Sequence, residues 1–285
     1  FPTRRSSDLN GGNGLGGGIF NESQFTATNC TIALNSVVGG IGYGSGLPGY
    51  ALGLSGNAMG GGIFNDASAI FIAMNLTIAS NTCSSPDGSS FTNGIAAGIQ
   101  IANTNGTLRL HNSIIAYGGT NGNAYGIITD DGYNISSDGT AQLFGGSSYN
   151  FTDPKLGQLG DYGGPTSCMA VLSNSPAIDS GDSSGIPDTD QRGFVRPFGD
   201  GPDIGAYEYG SYQLGLTYLY IASISNNVVL TFPASALKSY RLQASTNLLT
   251  WTDLNTNGPF ISSTNVSQTI SQQGFKLRFF RLLLQ

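Results

Sequence analysis

The chain has 285 residues, of which 43 are glycine, 11 are lysine or arginine and 17 are aspartate or glutamate. This composition excludes a mainly helical enzyme or a coiled coil, because glycine disfavours helix interiors and soluble domains usually carry about 25% charged residues. The net charge of −6 argues against a nucleic-acid partner, which needs a basic face, and no stretch approaches the roughly 18 apolar residues of a membrane span.

Residues 1–9 read unlike the rest of the chain. They resemble the translation of a sequencing-adapter oligonucleotide, and a signal-peptide start is disfavoured because no apolar run follows Arg5. We therefore treat residues 1–9 as an artefact. We expect the natural N-terminus, with any export signal and earlier repeats, to lie outside this sequence.

Two short phrases recur in the following region. The phrase Gly-Gly-Gly-Ile-Phe-Asn appears twice unchanged, and each copy is followed by an Asn-x-Thr-Ile-Ala phrase; a weaker third copy of both comes later. The first phrase occupies residues 16–21, 60–65 and 96–101, and the second occupies residues 29–33, 75–79 and 112–116. Such internal repetition is typical of proteins built from stacked repeat units.

Each phrase is an apolar, β-branched piece of strand length, bounded by glycine, asparagine or serine, and neither phrase has helical periodicity. Copies whose strands follow in the same order can pair in parallel, each on the next, and bury their inward side chains along one axis. The sequence therefore predicts an all-β fold in which residues 10–152 form a right-handed parallel β-helix, a pectin-lyase-like solenoid.

The alternation of side chains in such strands gives two further predictions. Leu108 and Leu110 are expected to point inward, whereas Arg109 and His111 point outward. One asparagine recurs at the same point of the second phrase, where stacked amides would form a ladder at a turn. These asparagines are Asn29, Asn75 and Asn112.

The Gly-Gly-x-Ile wording of the repeats resembles that of right-handed β-helix repeat proteins of bacterial surfaces, including polymorphic outer-membrane proteins. The resemblance covers about residues 10–129. It implies the same solenoid fold and a location at the cell surface.

Charge divides the chain into three regions. Residues 10–129 hold three acids and one base, residues 130–210 hold twelve acids and three bases, and residues 211–285 hold one acid and five bases. Regions of such different electrostatic character indicate three structural units.

The middle region resembles the choice-of-anchor Q region of secreted bacterial β-helix proteins. The matching phrases, in order, are Gly132–Ile135, Asp153–Gly157, Gly163–Thr166, Ser175–Gly181, Thr189–Gly193, Arg196-Pro197 and Asp203–Glu208. The resemblance implies an exported protein whose β-helix ends here, with no defined activity. We call residues 153–210 the closing segment. We expect it to cover the end of the β-helix, where an open sheet edge invites aggregation.

Residues 211–285 alternate apolar and polar residues in short runs separated by turn residues, which is typical of a small antiparallel β-sandwich. Their wording around Tyr240–Leu248 resembles the C-terminal β modules of exported environmental bacterial proteins. Trp251 is the only tryptophan. It lies in a predicted strand and is expected to anchor the core of the sandwich.

The candidate acid–base group is Asp130 and Asp131, with the outward-facing Arg109 and His111, since pectin-cleaving β-helix enzymes use clustered aspartates. However, residues 10–154 contain no lysine and a single arginine, too few to grip an acidic substrate. We interpret the two aspartates as a turn and His111 as a solvated strand residue. No catalytic residue is therefore assigned.

The remaining candidate site is a calcium site made of hard oxygen ligands in a glycine- and proline-rich loop. Its candidate ligands are Asp179, Asp182, Asp188 and Asp190. The favoured alternative is ion pairing, because the spacing is neither that of an EF-hand nor that of a nonapeptide calcium repeat. Asp190 would pair with Arg192. Arg196 would pair with Asp203 or Glu208, which would fasten the closing segment to the β-helix.

Aromatic side chains suggest a binding face. Tyrosines in predicted loops along the solenoid can stack on sugar rings or on a protein partner. They are Tyr43, Tyr50, Tyr117 and Tyr125. The three cysteines are too few for a disulfide scaffold and leave open whether Cys30 and Cys83 pair.

These observations predict a secreted or cell-surface bacterial protein, monomeric, that serves as a structural or adhesive β-helix with an extracellular glycan or surface protein as partner. The alternative is a polysaccharide lyase or glycoside hydrolase whose catalytic repeats lie in a missing N-terminal part. No cofactor is expected apart from calcium.

Overall fold

The structure is a computed structural model that describes residues 11–42, 54–84, 96–97, 99–211, 220–224, 227–234, 239–259, 264–271 and 278–284. It is nearly all β, and the described residues contain one 3-10 helix, Gly119–Asn121. The chain divides into two compact units, Phe1–Ser211 and Tyr212–Gln285. Both the prediction of an all-β chain and that of parallel sheets are confirmed.

The first unit begins with short strands that repeat in the same order. The first copy contributes β1 (Gly14–Leu15), β2 (Ile19–Asn21), β3 (Gln24–Ala33) and β4 (Ser36–Val38). The second contributes β5 (Ala58–Met59), β6 (Ile63–Asn65), β7 (Ile70–Ala79) and β8 (Thr82–Ser84). The third contributes β9 (Ala96–Ala97), β10 (Ile101–Asn103), β11 (Thr107–His111) and β12 (Ile114–Ala116). The strands β13 (Ala124–Tyr125), β14 (Thr129–Asp130) and β15 (Ile135–Ser136) follow.

Strands of successive copies pair side by side, and every pair among β1 to β15 is parallel. The sheets run β1-β5-β9, β13-β10-β6-β2 and β4-β8, while β7 pairs with β3 on one side and with β11 and β12 on the other. Ile19 lies opposite Ile63, and Ile63 lies opposite Ile101. The alignment of the repeated phrases places Ile99, not Ile101, opposite Ile63. In the structure Ile99 lies two residues earlier, where its carbonyl oxygen accepts the N–H of Gly62.

The large sheet formed around β7 has an inner and an outer face. Leu108 and Leu110 are fully buried on the inner face, and Arg109 between them is exposed, so the predicted alternation is confirmed. The inner core also contains Phe71 and Ile78. At the edge strand β3, the ring of Phe25 stacks on the ring of Phe71 with 5.4 Å between centroids.

The closing segment starts with an antiparallel hairpin, β16 (Leu156–Gly160) and β17 (Cys168–Val171), and continues without regular structure to Ser211. Met169 and Ile204 pack with Ala79, Ile114 and Ile135 in a second core. These last three residues belong to β7, β12 and β15. The closing segment therefore packs on the outer face of the large sheet, where Ala79, Ile114 and Ile135 are buried.

Amide ladders form, but not at the predicted asparagines. Asn21 donates to the side-chain oxygen of Asn65 at 2.7 Å, and Asn65 donates to Asn103 at 2.9 Å. The predicted residues share a left-handed φ of about 50°. They are Asn29, Asn75 and Asn112. Two of them bond to the closing segment instead, since Asn29 donates to Thr189 and Asn112 to Asp182, both at main-chain oxygens.

The second unit consists of two three-stranded antiparallel sheets, β18-β19-β22 and β21-β20-β23. Their strands are β18 (Tyr220–Ile224), β19 (Asn227–Ala234), β20 (Tyr240–Ser245), β21 (Thr252–Asn257), β22 (Thr264–Ser271) and β23 (Phe279–Leu284). Leu230 of β19 and Leu242 of β20 share one core. The expectation for Trp251 is wrong. It is half-buried just before β21, under the guanidinium of Arg281, and Phe232 is the large buried ring.

The three cysteines are free: Cys30 is exposed, whereas Cys83 and Cys168 are buried. Cys30 and Cys83 therefore form no disulfide in this structure. Burial raises the pKa of the Cys83 thiol to about 11. Within the described part of the chain, no helix has the length and apolar character needed to cross a membrane.

Candidate functional site

A groove of about 520 Å³ lies between residues 124–128, which include β13, and the turn at residues 140–144. We call it the Tyr125 groove. Ile127 and Phe144 line it with more than four-fifths of their surface exposed, and Tyr125 lines it with 42% exposed. Large apolar side chains so exposed on adjacent positions mark a binding surface more often than isolated ones do.

The walls of the Tyr125 groove are held in place by hydrogen bonds. Tyr125 lies on β13, which pairs with β10, and the N–H of Ala124 donates to Thr140 Oγ1 at 2.9 Å. Opposite, the side chain of Asn150 bonds both main-chain groups of Leu143, next to Phe144. The exposed rings therefore project from a backbone that is already fixed.

The other predicted tyrosines have different environments. Tyr117 lines a second groove of about 420 Å³. Its hydroxyl donates to Asp153 at 3.0 Å and accepts the N–H of Leu156 at 3.1 Å, so it fastens the closing segment. Burial raises the pKa of Tyr117. Tyr43 and Tyr50 lie outside the described residues.

The candidate acid–base residues lie on one surface, but each already has hydrogen-bond partners within the protein. Arg109 holds Asp131 through two hydrogen bonds, of which Nε to Oδ2 measures 2.9 Å. Asp130 accepts hydrogen bonds from Gly132, Asn134, Ser148 and Gly145. Asp130 thus organises the turn that the sequence predicts.

His111 is also engaged at both ring nitrogens. Nδ1 lies 3.2 Å from the main-chain oxygen of Asp131, and Nε2 lies 3.5 Å from Oδ2 of Asp182. A histidine that faces an oxygen acceptor on each side has no free nitrogen with which to take a proton from a substrate. The geometry is that of a structural contact between β11 and the closing segment.

The four candidate calcium ligands do not converge. Asp179 accepts the N–H groups of Asp200 and Gly201, Asp182 faces His111, and Asp188 is exposed. Among the described residues, no three His, Cys, Asp or Glu side chains lie close enough together to hold a metal ion.

The predicted ion pairs are present and almost fully buried. Arg192 binds Asp190 at 2.7 Å, and its guanidinium lies between the rings of Phe194 and Tyr207. Arg196 binds Glu208 at 2.8 Å. Such charge-assisted bonds are the strong ones when water is excluded.

Arg196 connects the closing segment to the repeats. Besides Glu208, its guanidinium donates to the side-chain oxygen of Asn29 at 3.0 Å and to the main-chain oxygen of Gly205 at 2.9 Å. Asp203 lies beside this pair. Burial, and then the nearby charge of Glu208, raise the pKa of Asp203 to about 7.

Tyr125 could be identified from the sequence, but its neighbours in the groove could not. Phe144, Ile127, Thr140 and Gln142 carry no motif, and only the return of the chain beside β13 brings them together. The sequence signal that was available is that two bulky apolar residues, Ile127 and Phe144, lie close to Tyr125 and to Thr140 in otherwise polar stretches.

No protein-family model, no curated protein and no solved structure matches the chain.

Proposed function

We propose that the chain is part of an exported bacterial surface protein and acts as an adhesive scaffold for extracellular glycans. In this proposal the first unit is a right-handed parallel β-helix with a choice-of-anchor Q-type closing segment, and the second unit is a small β-sandwich module.

The observation that carries the proposal is the parallel pairing of strands from three successive copies. Nine residue pairs join β3 to β7, and five join β7 to β11. Strands linked in this way form a stiff core whose outer positions are free to vary. A stiff scaffold that holds exposed side chains at fixed spacing suits adhesion.

The Tyr125 groove supports glycan binding in particular. Tyrosine and phenylalanine offer flat apolar surfaces to the C–H faces of sugar rings. Binding sites combine such surfaces with a few polar groups that fix orientation, and Thr140 and Gln142 line the same groove.

The test is retention of the whole chain on a panel of immobilised bacterial and plant polysaccharides, with release of reducing ends followed in the same tubes. Heat-unfolded chain is the control. We expect saturable retention without new reducing ends. Turnover of any polysaccharide would instead favour a lyase or hydrolase, and absence of retention on every polysaccharide would overturn the adhesive role.

A further inference from the structure

The Tyr125 groove contains aromatic and amide groups but no charged side chain. Its ring-bearing and polar members are Tyr125, Thr140, Gln142 and Phe144. The hydroxyl of Tyr125 and the side-chain amide of Gln142 have no hydrogen-bond partner within the described part of the chain, so both are available to a ligand. We propose that this groove binds an uncharged oligosaccharide and discriminates against acidic glycans. The inference rests on the proposed function and names its ligand class.

Two aspartate side chains bond to residues of the groove or next to it. Asp138 accepts from Thr140 at 2.6 Å, and Asp130 accepts the N–H of Gly145, next to Phe144. A uronate chain laid in the groove would bring its own carboxylates toward these two. Like charges at short range cost free energy, so a polyanion is disfavoured here.

Within residues 10–210, every basic side chain is engaged away from the groove. Residues 10–210 carry fifteen acidic and four basic side chains. Arg192 and Arg196 are buried in ion pairs, Arg109 holds Asp131, and Lys155 donates to the main chain at Asn174. None of the four lines the groove. Recognition of a carboxylate normally uses arginine or lysine.

Neutral sugars fit what the groove does offer. Their C–H faces pack on rings, while their hydroxyls exchange hydrogen bonds with amides, hydroxyls and main-chain groups. Because Tyr125 and Phe144 project from a fixed backbone, little ordering cost accompanies binding. Since no ion pair forms, the affinity is expected to be independent of salt.

The experiment is calorimetric titration of the whole chain with neutral hexasaccharides (cello-, manno-, xylo- and malto-oligomers) and with hexagalacturonate and hexamannuronate. We expect at least one neutral hexamer to bind, with the same affinity at low and high NaCl, and the acidic hexamers to bind at least tenfold more weakly. Tyr125→Ala and Phe144→Ala are each expected to weaken neutral binding about tenfold. Phe151→Ala is the matched control, because Phe151 is an equally exposed ring that does not line the groove.

A second variant tests the electrostatic part of the inference. Ile127→Lys places a cation at an exposed position of the groove. We expect it to raise the affinity for hexagalacturonate relative to that for the neutral hexamer by about tenfold at low salt, and we expect this gain to disappear at high NaCl.

Several results would overturn the inference. Preference of the natural chain for acidic hexamers contradicts the charge argument, and neutral binding that survives both ring substitutions places the site elsewhere; in either case the adhesive role stands. A dimer that Tyr125→Ala dissolves would assign the groove to a second copy. Failure of every polysaccharide and hexamer to bind would overturn the proposed function itself.

Discussion

The side chain of Arg196 shows how a single residue ties distant parts of the first unit together. It is fully buried and reaches Asn29 in β3, Gly205 and Glu208 at the same time. Burying a charge is costly unless it is paired and hydrogen-bonded, and each of these bonds offsets part of that cost. Loss of the guanidinium would leave the carboxylate of Glu208 buried without its partner.

The buried pair and the exposed pair make a matched comparison. We expect Arg196→Met to lower the free energy of unfolding of the first unit by roughly 3–5 kcal/mol, because it strands Glu208 in the interior. Arg109→Met removes an exposed pair with Asp131 and should cost roughly 0–1 kcal/mol. Urea unfolding followed by far-ultraviolet circular dichroism measures both. Equal costs would contradict the role assigned to Arg196.

The raised pKa of Asp203 predicts how stability depends on pH. Its pKa rises from 3.8 to about 7 on folding, chiefly through burial. Since the folded state then holds the proton more tightly, this contribution is fully present below about pH 4 and is lost as pH rises toward 7, at up to roughly 1.4 kcal/mol per pH unit.

Asp203→Asn should therefore flatten the decrease in stability between about pH 4 and 7, whatever its effect on stability at one pH. Glu208, whose pKa is also raised by burial, acts with the same sign and remains in the variant. The measurement is urea unfolding at half-unit pH steps for both proteins. Parallel curves for the two would show that Asp203 is not the group involved.

The closing segment is held against the large sheet by contacts with β7, with β12 and with Asn112 between β11 and β12. The N–H of Ala206 donates to Thr77 in β7, and Gly205 donates to the main chain of Asn112, which follows β11. Gly205 has a φ of 101°, and a Cβ there would lie 2.8 Å from Ile114. Only glycine satisfies both the backbone conformation and the close approach.

A comparison of Gly205 with Gly185 distinguishes the cost of the backbone conformation from the cost of the close approach. Both have positive φ, but a Cβ at Gly185 would meet nothing within 4 Å. We expect Gly185→Ala to cost about 1–2 kcal/mol from backbone strain alone. Gly205→Ala should cost about 2 kcal/mol more and increase cleavage of the closing segment in limited proteolysis, because it lifts the segment off the sheet. Equal behaviour of the two variants would contradict this contact.

Most elements could be predicted from the sequence, because strand length and alternation are local properties. The exceptions depend on contacts far apart along the chain. The predicted ladder at Asn29 failed because Arg196 and Thr189 bind its side-chain amide. A ladder forms instead at Asn21 and Asn65, the last residues of the first repeated phrase. Trp251, expected in a strand, lies just before β21, which begins only at Thr252.

At the scale of the whole molecule, each compact unit has a hydrophobic core of its own. The core of the first unit contains Phe71 and Leu110, and that of the second contains Phe232 and Leu230. Units with separate cores usually unfold as separate cooperative steps. Trp251, the only tryptophan, belongs to the second unit, so its fluorescence reports on that unit alone.

Reciprocal core substitutions test this independence. We expect Phe232→Ala to lower the free energy of unfolding of the second unit, followed by tryptophan fluorescence, by roughly 3–5 kcal/mol and to leave the calorimetric transition of the first unit unchanged. We expect Phe71→Ala to destabilise the first unit and to leave the fluorescence transition of the second unit unchanged. A single transition shifted equally by both substitutions would contradict two independently folding units.

The candidate site was less predictable than the fold. Tyr125 could be identified as an aromatic residue in a predicted loop. The ion pairs of Arg192 and Arg196 could be predicted from the acidic residues near them in the sequence. The Tyr125 groove could not, because Phe144 reaches it through a turn fixed by Asp130 and Asn150, and no local pattern encodes such a turn.

The parallel pairing of whole copies constrains how the gene for this chain can lengthen. Ile19 lies opposite Ile63, so a duplicated copy of about 44 residues joins its neighbour through the same bonds. Inserted upstream of Asn29, such a duplication leaves the contacts of Arg196 and Ala206 unchanged. Inserted between Asn29 and Thr77, it would pull them apart. Elongation by tandem duplication is therefore tolerated in one direction only.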